Sequence, residues 1–330
     1  MRWPLIKYLP DKTNFRYVGF ARIAAALSLL AVIGSLFLTL YPPRPPCGGL
    51  NCGVEFRGGT VMELASRTGP IDIGRVRSTL NAMKLGDVQV QEFGDPRNAL
   101  VRFEAPEGEN VGQVVSRVQA ALTRDLGAVT VTRTEVVGPK VSKELFTNGV
   151  TALGIAIFLM LLYIWFRFGL TFGVGAVAAL FHDVILTFGL FALTRMEFTL
   201  TAVAAILTII GYSMNDTVVV LDRVRENLRK YKRTSLRDII DLSINETLSR
   251  TIVTGVTGLM ALAGLAVFGG EALFAFSVAM IFGIIVGTYS SIFVAAPVLL
   301  MLGVKRGEDE PARATGTAGA AKTRNVVPAP

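Results

Sequence analysis

The chain has 330 residues, of which 52% are hydrophobic and 18% are charged, and its formal net charge is +8 at pH 7. Charged residues make up about a quarter of an ordinary soluble domain. The lower share here excludes a chain that consists of ordinary soluble domains alone. The apolar residues gather into runs of about 20, the length that crosses a hydrocarbon core of roughly 30 Å. The chain is therefore an integral membrane protein.

The apolar runs predict six transmembrane helices and hence a polytopic α-helical membrane protein. They cover residues 19–40, 149–166, 170–193, 198–221, 248–268 and 273–302. Only TRME separates the third run from the fourth, and only GGEA the fifth from the sixth, so both pairs are predicted to be antiparallel hairpins. The first run could also be read as a signal peptide. LYPPRPP follows it instead of a small-residue cleavage site, which favours a retained anchor.

Lysine and arginine in the short loops predict the orientation, because cytoplasmic loops carry an excess of them. They are frequent in the N-terminal segment 1–18 and in the loop 222–247, whereas the two hairpin turns hold Arg195 alone. Both termini, including the tail 303–330 that looks disordered, are therefore predicted to be cytoplasmic. The net positive charge is explained by this topology, and a nucleic-acid partner is not expected.

Residues 41–146 are predicted to form one extracytoplasmic domain. TVMELAS, DVQVQEFG, NALVRFEA and AVTVTRTEVV read as strands, while IDIGRVRSTLNAMK and NVGQVVSRVQAALTRDLG read as amphipathic helices. The order β-α-β-β-α-β is that of the ferredoxin-like unit. The domain shows no clustered histidines, no nucleophile elbow and no phosphate loop. The sequence therefore predicts no covalent catalysis, no cofactor and no metal.

Cys47 and Cys52 are the only cysteines, and both lie just outside the first apolar run. A disulfide between them is sterically possible and fits an oxidising compartment. The sequence leaves open whether the bond forms. A shared metal site is disfavoured because no further cysteine or histidine lies nearby.

One acidic residue lies deep in an apolar run. Asp216 belongs to GYSMNDTVVVLDRVREN, and an aspartate at such a depth costs about 2.5–3.5 kcal/mol unless it has a partner or a role. Arg250, in ETLSRTIVTG, enters the fifth run at a similar depth from the cytoplasmic side. An Asp216–Arg250 pair would offset both burial costs, and protonation of the aspartate would release the arginine. The alternative is an ion pair that only fixes helix packing.

Further polar residues interrupt the same runs. The single histidine, His182, and the adjacent Asp183 lie near the centre of the third run. Each is assigned either to the proton path or to helix packing. Asn215 precedes Asp216, and helical spacing places Asp216 on one face with Tyr212 and Val219. Glycines such as Gly283 and Gly287 predict close helix packing.

Several of these segments resemble the SecD/SecF family of protein-export membrane proteins in the RND superfamily. They are VEFRGGT, FHDV, AAILTIIGYSMNDTVVVLDRVREN, ETLSRTIVTG and FGGEAL, within a resemblance that covers about residues 17–304. The family's proton-path aspartate and arginine fall on Asp216 and Arg250. Gly58, Gly59 and Thr60 fall in the glycine turn that follows the first span. Glu55 stands where the family commonly has aspartate, which keeps the charge and alters the local geometry.

The resemblance implies an RND-type half in the cytoplasmic (inner) membrane of a prokaryote. It implies a heterodimer with SecD, docking near the SecYEG channel and other Sec accessory proteins, and an unfolded preprotein as client. The implied activity uses the proton-motive force late in export, after the ATP-driven step, with sodium as the alternative coupling ion. Two other functions stay in consideration: an RND-type half-transporter of a small molecule, and a passive scaffold for Sec components.

Overall fold

The computed structural model describes residues 13–43, 47–85, 88–93, 95–105, 109–127 and 129–304. Most of the predicted cytoplasmic segment 1–18 and almost all of the tail 303–330 lie outside these ranges. The helices are α1 Tyr17–Leu40, α2 Val54–Arg57, α3 Ile73–Ala82, α4 Val111–Leu126, α5 Pro139–Thr194, α6 Leu200–Lys230, α7 Leu236–Phe268, α8 Glu271–Ser290 and α9 Ala296–Leu302. A π-helical segment, Ser291–Ala295, joins α8 to α9. The strands are β1 Asn51–Cys52, β2 Gly59–Ser66, β3 Gln89–Phe93, β4 Asp95–Phe103, β5 Val129–Val137 and β6 Glu197–Phe198.

Within the described residues, five helical stretches are long and apolar enough to cross a membrane, where six were predicted. The difference lies in α5, whose 56 residues contain both the second and the third predicted spans. A straight helix of that length would extend for about 84 Å, far more than the roughly 30 Å hydrocarbon core. The backbone leaves the helical conformation at Gly169, where φ is 71° and ψ is −174°. Glycine takes this conformation at little steric cost, so the two apolar stretches meet at a break without a loop.

The segment 222–247, predicted as a cytoplasmic loop, is mostly helical. Helix α6 continues to Lys230 and α7 begins at Leu236. Polar side chains hold the two extensions together, because Asn227 Nδ2 donates to Ser243 Oγ at 3.0 Å and to Glu246 Oε2 at 2.8 Å. The prediction ended each helix at its last apolar residue. These hydrogen bonds stabilise helical residues that lie beyond the last apolar residue of each predicted span.

The segment between α1 and α5 folds around a four-stranded antiparallel sheet in the order β3-β4-β2-β5. The predicted alternation of strands and helices is the one observed, from β2 through α3, β3, β4 and α4 to β5. Asp72 caps α3 by accepting from the Arg75 amide at 3.0 Å, and Asn110 caps α4 in the same way. Both helices pack fully buried side chains against the sheet. Val76 and Leu80 come from α3 and Val114 and Val118 from α4, and they share a core with Met62, Val101 and Phe103 of the strands.

A polar junction ties this domain to the turn between α5 and α6. Strand β1 pairs in parallel with β6, and Cys52 is bonded to Cys47, with Cα atoms 6.2 Å apart. Arg102 of β4 forms an ion pair with Glu197 of β6, and its Nη1 donates to the Cys52 carbonyl oxygen at 3.1 Å. Glu55 Oε2 accepts from the Leu200 amide, the first residue of α6, at 3.3 Å. The domain is therefore anchored directly to the start of α6.

Burial raises the pKa of two carboxyl groups at this junction. The pKa of Glu55 rises above 4.5 mainly through desolvation, although the Leu200 amide opposes the shift. Desolvation also raises the pKa of Glu197, against the opposing charge of Arg102. A raised pKa means that the folded chain holds the proton more tightly than the unfolded chain does. This contribution to stability is complete below the unfolded pKa and is lost as the pH rises through the folded pKa.

We expect Glu55→Gln to raise the thermal stability of the full chain more at pH 8 than at pH 5. The glutamine removes a partly buried charge, while its side-chain oxygen can still accept from the Leu200 amide. Thermal unfolding of the purified chain in detergent at both pH values measures the effect. Glu92→Gln, at an exposed position of β3, is the matched control and should behave alike at both values. An equal gain for Glu55→Gln at both pH values would contradict the prediction.

Candidate functional site inside the membrane helices

Two glycines let helices α6 and α8 approach closely in the middle of the bundle. A Cβ on Gly287 would lie 2.9 Å from the Ser213 Cβ, and a Cβ on Gly283 would overlap the Ile209 side chain. The two glycines are four residues apart, so they lie on one face of α8. At this contact, Ser213 of α6 and Ser290 of α8 both donate to the same carboxylate oxygen of Asp183 on α5.

Asp216 lies in this region and is held by hydroxyl groups. Thr251 Oγ1, from α7, donates to Asp216 Oδ1 at 2.5 Å, and Ser291 Oγ, from the π-helical segment, donates to Oδ2 at 2.7 Å. Each carboxylate oxygen therefore has one hydroxyl donor from a different neighbouring element. Hydroxyl groups can both donate and accept, so this environment can serve the ionised and the protonated carboxyl.

A small cavity of about 10 Å³ adjoins Asp216, which is about the room that one water molecule needs. Arg250 and Asn215 line this cavity together with Asp216, and so do Tyr212 and Val219, which share the predicted face of α6. The remaining lining residues are Thr251, Thr254 and Thr288. The structure thus brings three of the predicted site residues to one space.

Among the described residues, no ion pair joins Asp216 to Arg250, which corrects the predicted salt bridge. The carboxylate instead accepts one hydrogen bond at each oxygen, from the Thr251 and Ser291 hydroxyls. Arg250 itself is exposed on the surface of α7. The acid and the base therefore share a cavity without being bound to each other.

A second carboxylate lies deeper in the bundle. Asp183 is only 2% exposed, and its Oδ1 lies 2.9 Å from Nδ1 of the adjacent His182. Its Oδ2 accepts from Ser290 Oγ at 2.7 Å and also from the hydroxyl of Ser213. The His182 ring stacks on Tyr289 with centroids 6.0 Å apart, and its buried Nε2 bonds to no described residue. Asp183 and His182 therefore form a separate polar cluster beside Asp216.

Sequence reasoning missed the hydroxyl residues Thr251, Ser213, Ser290 and Ser291. Serine and threonine are common in membrane helices because they can bond to the backbone of their own helix, so a single one carries little signal. The usable signal was the pair Ser290–Ser291, two adjacent polar residues within the last apolar run.

The remaining predicted residues lie where the chain enters the four-stranded sheet. Gly58 and Gly59 both have positive φ, of 79° and 104°, and a Cβ on Gly59 would lie 3.0 Å from the Phe103 carbonyl oxygen. Thr60 is fully buried in β2. These residues shape the chain where the domain begins, and Cys47 and Cys52 are part of the same junction.

Within the described ranges, no group of three or more histidine, cysteine, aspartate or glutamate side chains could hold a metal ion. The described site offers two carboxyl groups and one imidazole, which are side chains that can bind and release protons, and several hydroxyls, which can donate and accept hydrogen bonds.

Comparison with known proteins gives consistent matches. Residues 118–305 match the family model described as "Protein export membrane protein SecD/SecF, C-terminal". The protein translocase subunit SecF of Rhodobacter capsulatus is 43% identical over 319 residues, covering 92% of this chain and 94% of the relative. The corresponding subunit of Cereibacter sphaeroides is 42% identical over 322 residues, covering 94% and 97%.

Two solved structures share the fold. The crystal structure of SecDF from Thermus thermophilus, a translocon-associated membrane protein, matches with a TM-score of 0.78 and 32% identity over 89% of this chain. SecDF in a super-membrane-facing form matches with a TM-score of 0.63 and 33% identity over 91%. The chain spans 39% and 40% of the lengths of these two SecDF chains.

Proposed function

This chain belongs to the SecF family of protein translocase subunits, and from this premise we propose that it couples ion movement to protein export. It would pair with SecD in a heterodimer and act at the SecYEG channel with other Sec accessory proteins. It would draw an unfolded preprotein outward late in export, with the proton-motive force as the energy source. The protein is a multi-pass protein of the inner membrane, and we propose that both of its termini are cytoplasmic.

The observation that carries this proposal is the environment of Asp216. The carboxyl group lies among membrane helices, is bonded to neutral hydroxyls and shares a cavity with Arg250. A carboxylate locked to a cation would resist protonation. Because the two groups are separate, Asp216 can gain a proton from the cavity, and Arg250 is near enough to attract the anion after the proton leaves.

The energy available is sufficient for a conformational step. One charge that crosses 100 mV supplies about 2.3 kcal/mol, so a few protons can shift an equilibrium between two arrangements of packed helices. The change would reach the outside through the start of α6, where Leu200 bonds to Glu55 and β6 pairs with β1. The element that carries Asp216 is thus the element to which the outer domain is anchored.

We further propose that the chain crosses the membrane six times and that residues 41–146 form a ferredoxin-like domain outside. The break at Gly169 supports the first point, because it divides α5 into two stretches that are each long enough to span. The strand order β3-β4-β2-β5 in a β-α-β-β-α-β unit supports the second.

Export in inverted membrane vesicles tests the function. Vesicles that contain the full chain with the other Sec components would be given an imposed proton gradient, an equal sodium gradient or none. We expect the late part of export to accelerate with the proton gradient alone. Acceleration by the sodium gradient alone would identify sodium, and not the proton, as the coupling ion. No response to either gradient, with normal complex assembly, would favour a passive scaffold, and gradient-driven efflux of a small molecule would favour the transporter.

A further inference from the structure

We propose that Asp183 is a second proton-binding site and that the adjacent residues Ser290 and Ser291 couple it to Asp216. This inference deepens the proposed function and rests on it. Ser290 donates to Asp183 of α5, and Ser291 donates to Asp216 of α6, both at 2.7 Å. Two consecutive residues of one helix therefore each hold one of two carboxyl groups inside the membrane.

The helix geometry explains how neighbouring residues reach different helices. Consecutive side chains in an α-helix are rotated by about 100°, so Ser290 and Ser291 point toward different partners. The π-helical segment begins at Ser291, and such segments are rare and are frequently found at functional sites. Because both serines belong to one rigid backbone, a shift that follows one carboxyl group must also move the hydroxyl that serves the other.

Each serine hydroxyl also has a second acceptor in its own helix. Ser290 Oγ lies 3.1 Å from the Gly287 carbonyl oxygen, and Ser291 Oγ lies 3.0 Å from that of Thr288. When a carboxyl group is ionised, it attracts the hydroxyl proton. When it is protonated, the hydroxyl can turn to the carbonyl and accept from the acid. Each serine therefore has two bonding arrangements, which depend on the charge of its carboxyl group.

Asp183 has no permanently charged partner among the described residues, since its bonds go to His182, Ser213 and Ser290. Ser213 adds a second link to Asp216, because it lies on α6 three residues earlier. The titratable groups in contact with the two carboxyl groups or their cavity are His182, bonded to Asp183, Tyr289, stacked on His182, and Tyr212 and Arg250, which line the cavity with Asp216. Arg250 is the permanently charged member of this set.

Infrared difference spectroscopy on the full chain in detergent tests the coupling directly. Asp183→Asn and Asp216→Asn would assign the two carboxyl bands. We expect Ser291→Ala to shift the titration of Asp183, which Ser291 does not touch, and Ser290→Ala to shift that of Asp216. Ser277→Ala is the matched control, because Ser277 is a buried serine of α8 that bonds only to the Leu273 carbonyl oxygen. Serine variants that alter only the carboxyl group they touch would overturn the proposal.

Export in vesicles gives the functional result. We expect Ser290→Ala and Ser291→Ala each to move the pH profile of proton-driven export by about one unit toward alkaline pH, because a donor to the ionised carboxylate is lost. Ser291→Thr keeps the hydroxyl and should restore the native profile. If Asp216→Asn abolishes proton dependence but both serine variants behave like Ser277→Ala, the coupling is refuted while the proposed function stands. If Asp216→Asn leaves proton-driven export intact, the proposed function itself fails.

Discussion

Asp216→Asn is expected to abolish proton-driven export while leaving the chain folded and assembled. Asparagine has the shape of the ionised aspartate, and its side-chain oxygen can still accept from Thr251 or Ser291. It cannot bind and release a proton. Export should therefore fall to the rate seen without a gradient, and the bias lost per 100 mV and per charge is about 2.3 kcal/mol, or about fifty-fold. Vesicle export with and without an imposed proton gradient measures the loss.

Asp222→Asn is the matched control for this experiment. It lies on the same helix six residues later and forms an ion pair at the helix surface with Arg167. Exposed ion pairs contribute about 0–1 kcal/mol, so near-native export is expected. Proton-driven export that survives in Asp216→Asn, or is lost equally in Asp222→Asn, would contradict the role assigned to Asp216.

The double variant Gly283→Ala, Gly287→Ala is expected to destabilise the helix bundle and to impair export as well. The first new methyl group would overlap Ile209, and the second would lie 2.9 Å from the Ser213 Cβ and 3.2 Å from its Cα. Helix α8 must then move away from α6, which shifts Ser290 relative to Asp183. Overpacking of this kind costs about 1–3 kcal/mol at each position. Thermal unfolding in detergent and vesicle export measure the two effects.

Gly211→Ala separates this steric effect from the general effect of replacing a glycine in a helix. Gly211 lies on α6 and is exposed, and no neighbouring atom lies within 4 Å of the position that an alanine Cβ would take there. Alanine at this position should be neutral or slightly stabilising, because glycine in a helix interior costs about 1 kcal/mol. A double variant at positions 283 and 287 as stable as Gly211→Ala would show that close contact between α6 and α8 is unnecessary.

The sequence singled out Asp216 and Arg250 because charge is conspicuous in an apolar run, and Asn215 because it precedes Asp216. These three residues line one cavity. Their bonding could not be predicted, since the choice between a salt bridge and hydroxyl partners depends on how α6, α7 and α8 pack. Serines 290 and 291 were overlooked because apolar helices tolerate hydroxyls.

The helix boundaries show a similar limit. Hydropathy detects where apolar residues end, and the predicted spans therefore stop at Leu221 and begin at residue 248. The real helices continue because Asn227 bonds to Ser243 and Glu246 across the helix pair. Between the predicted runs 149–166 and 170–193, the chain turns at one residue with a positive φ, Gly169.

Gly138 is the single residue between the end of β5 and the start of α5. One residue thus joins the four-stranded sheet to α5, and Pro139 restricts the backbone in the first turn of that helix. A tilt of the sheet must either bend the backbone at residue 138 or move the first part of α5, which the break at Gly169 separates from the part that carries Asp183. A few glycine and serine residues inserted after Gly138 would leave the sheet and α5 folded. A movement of the sheet would then no longer be transmitted to that helix through residue 138.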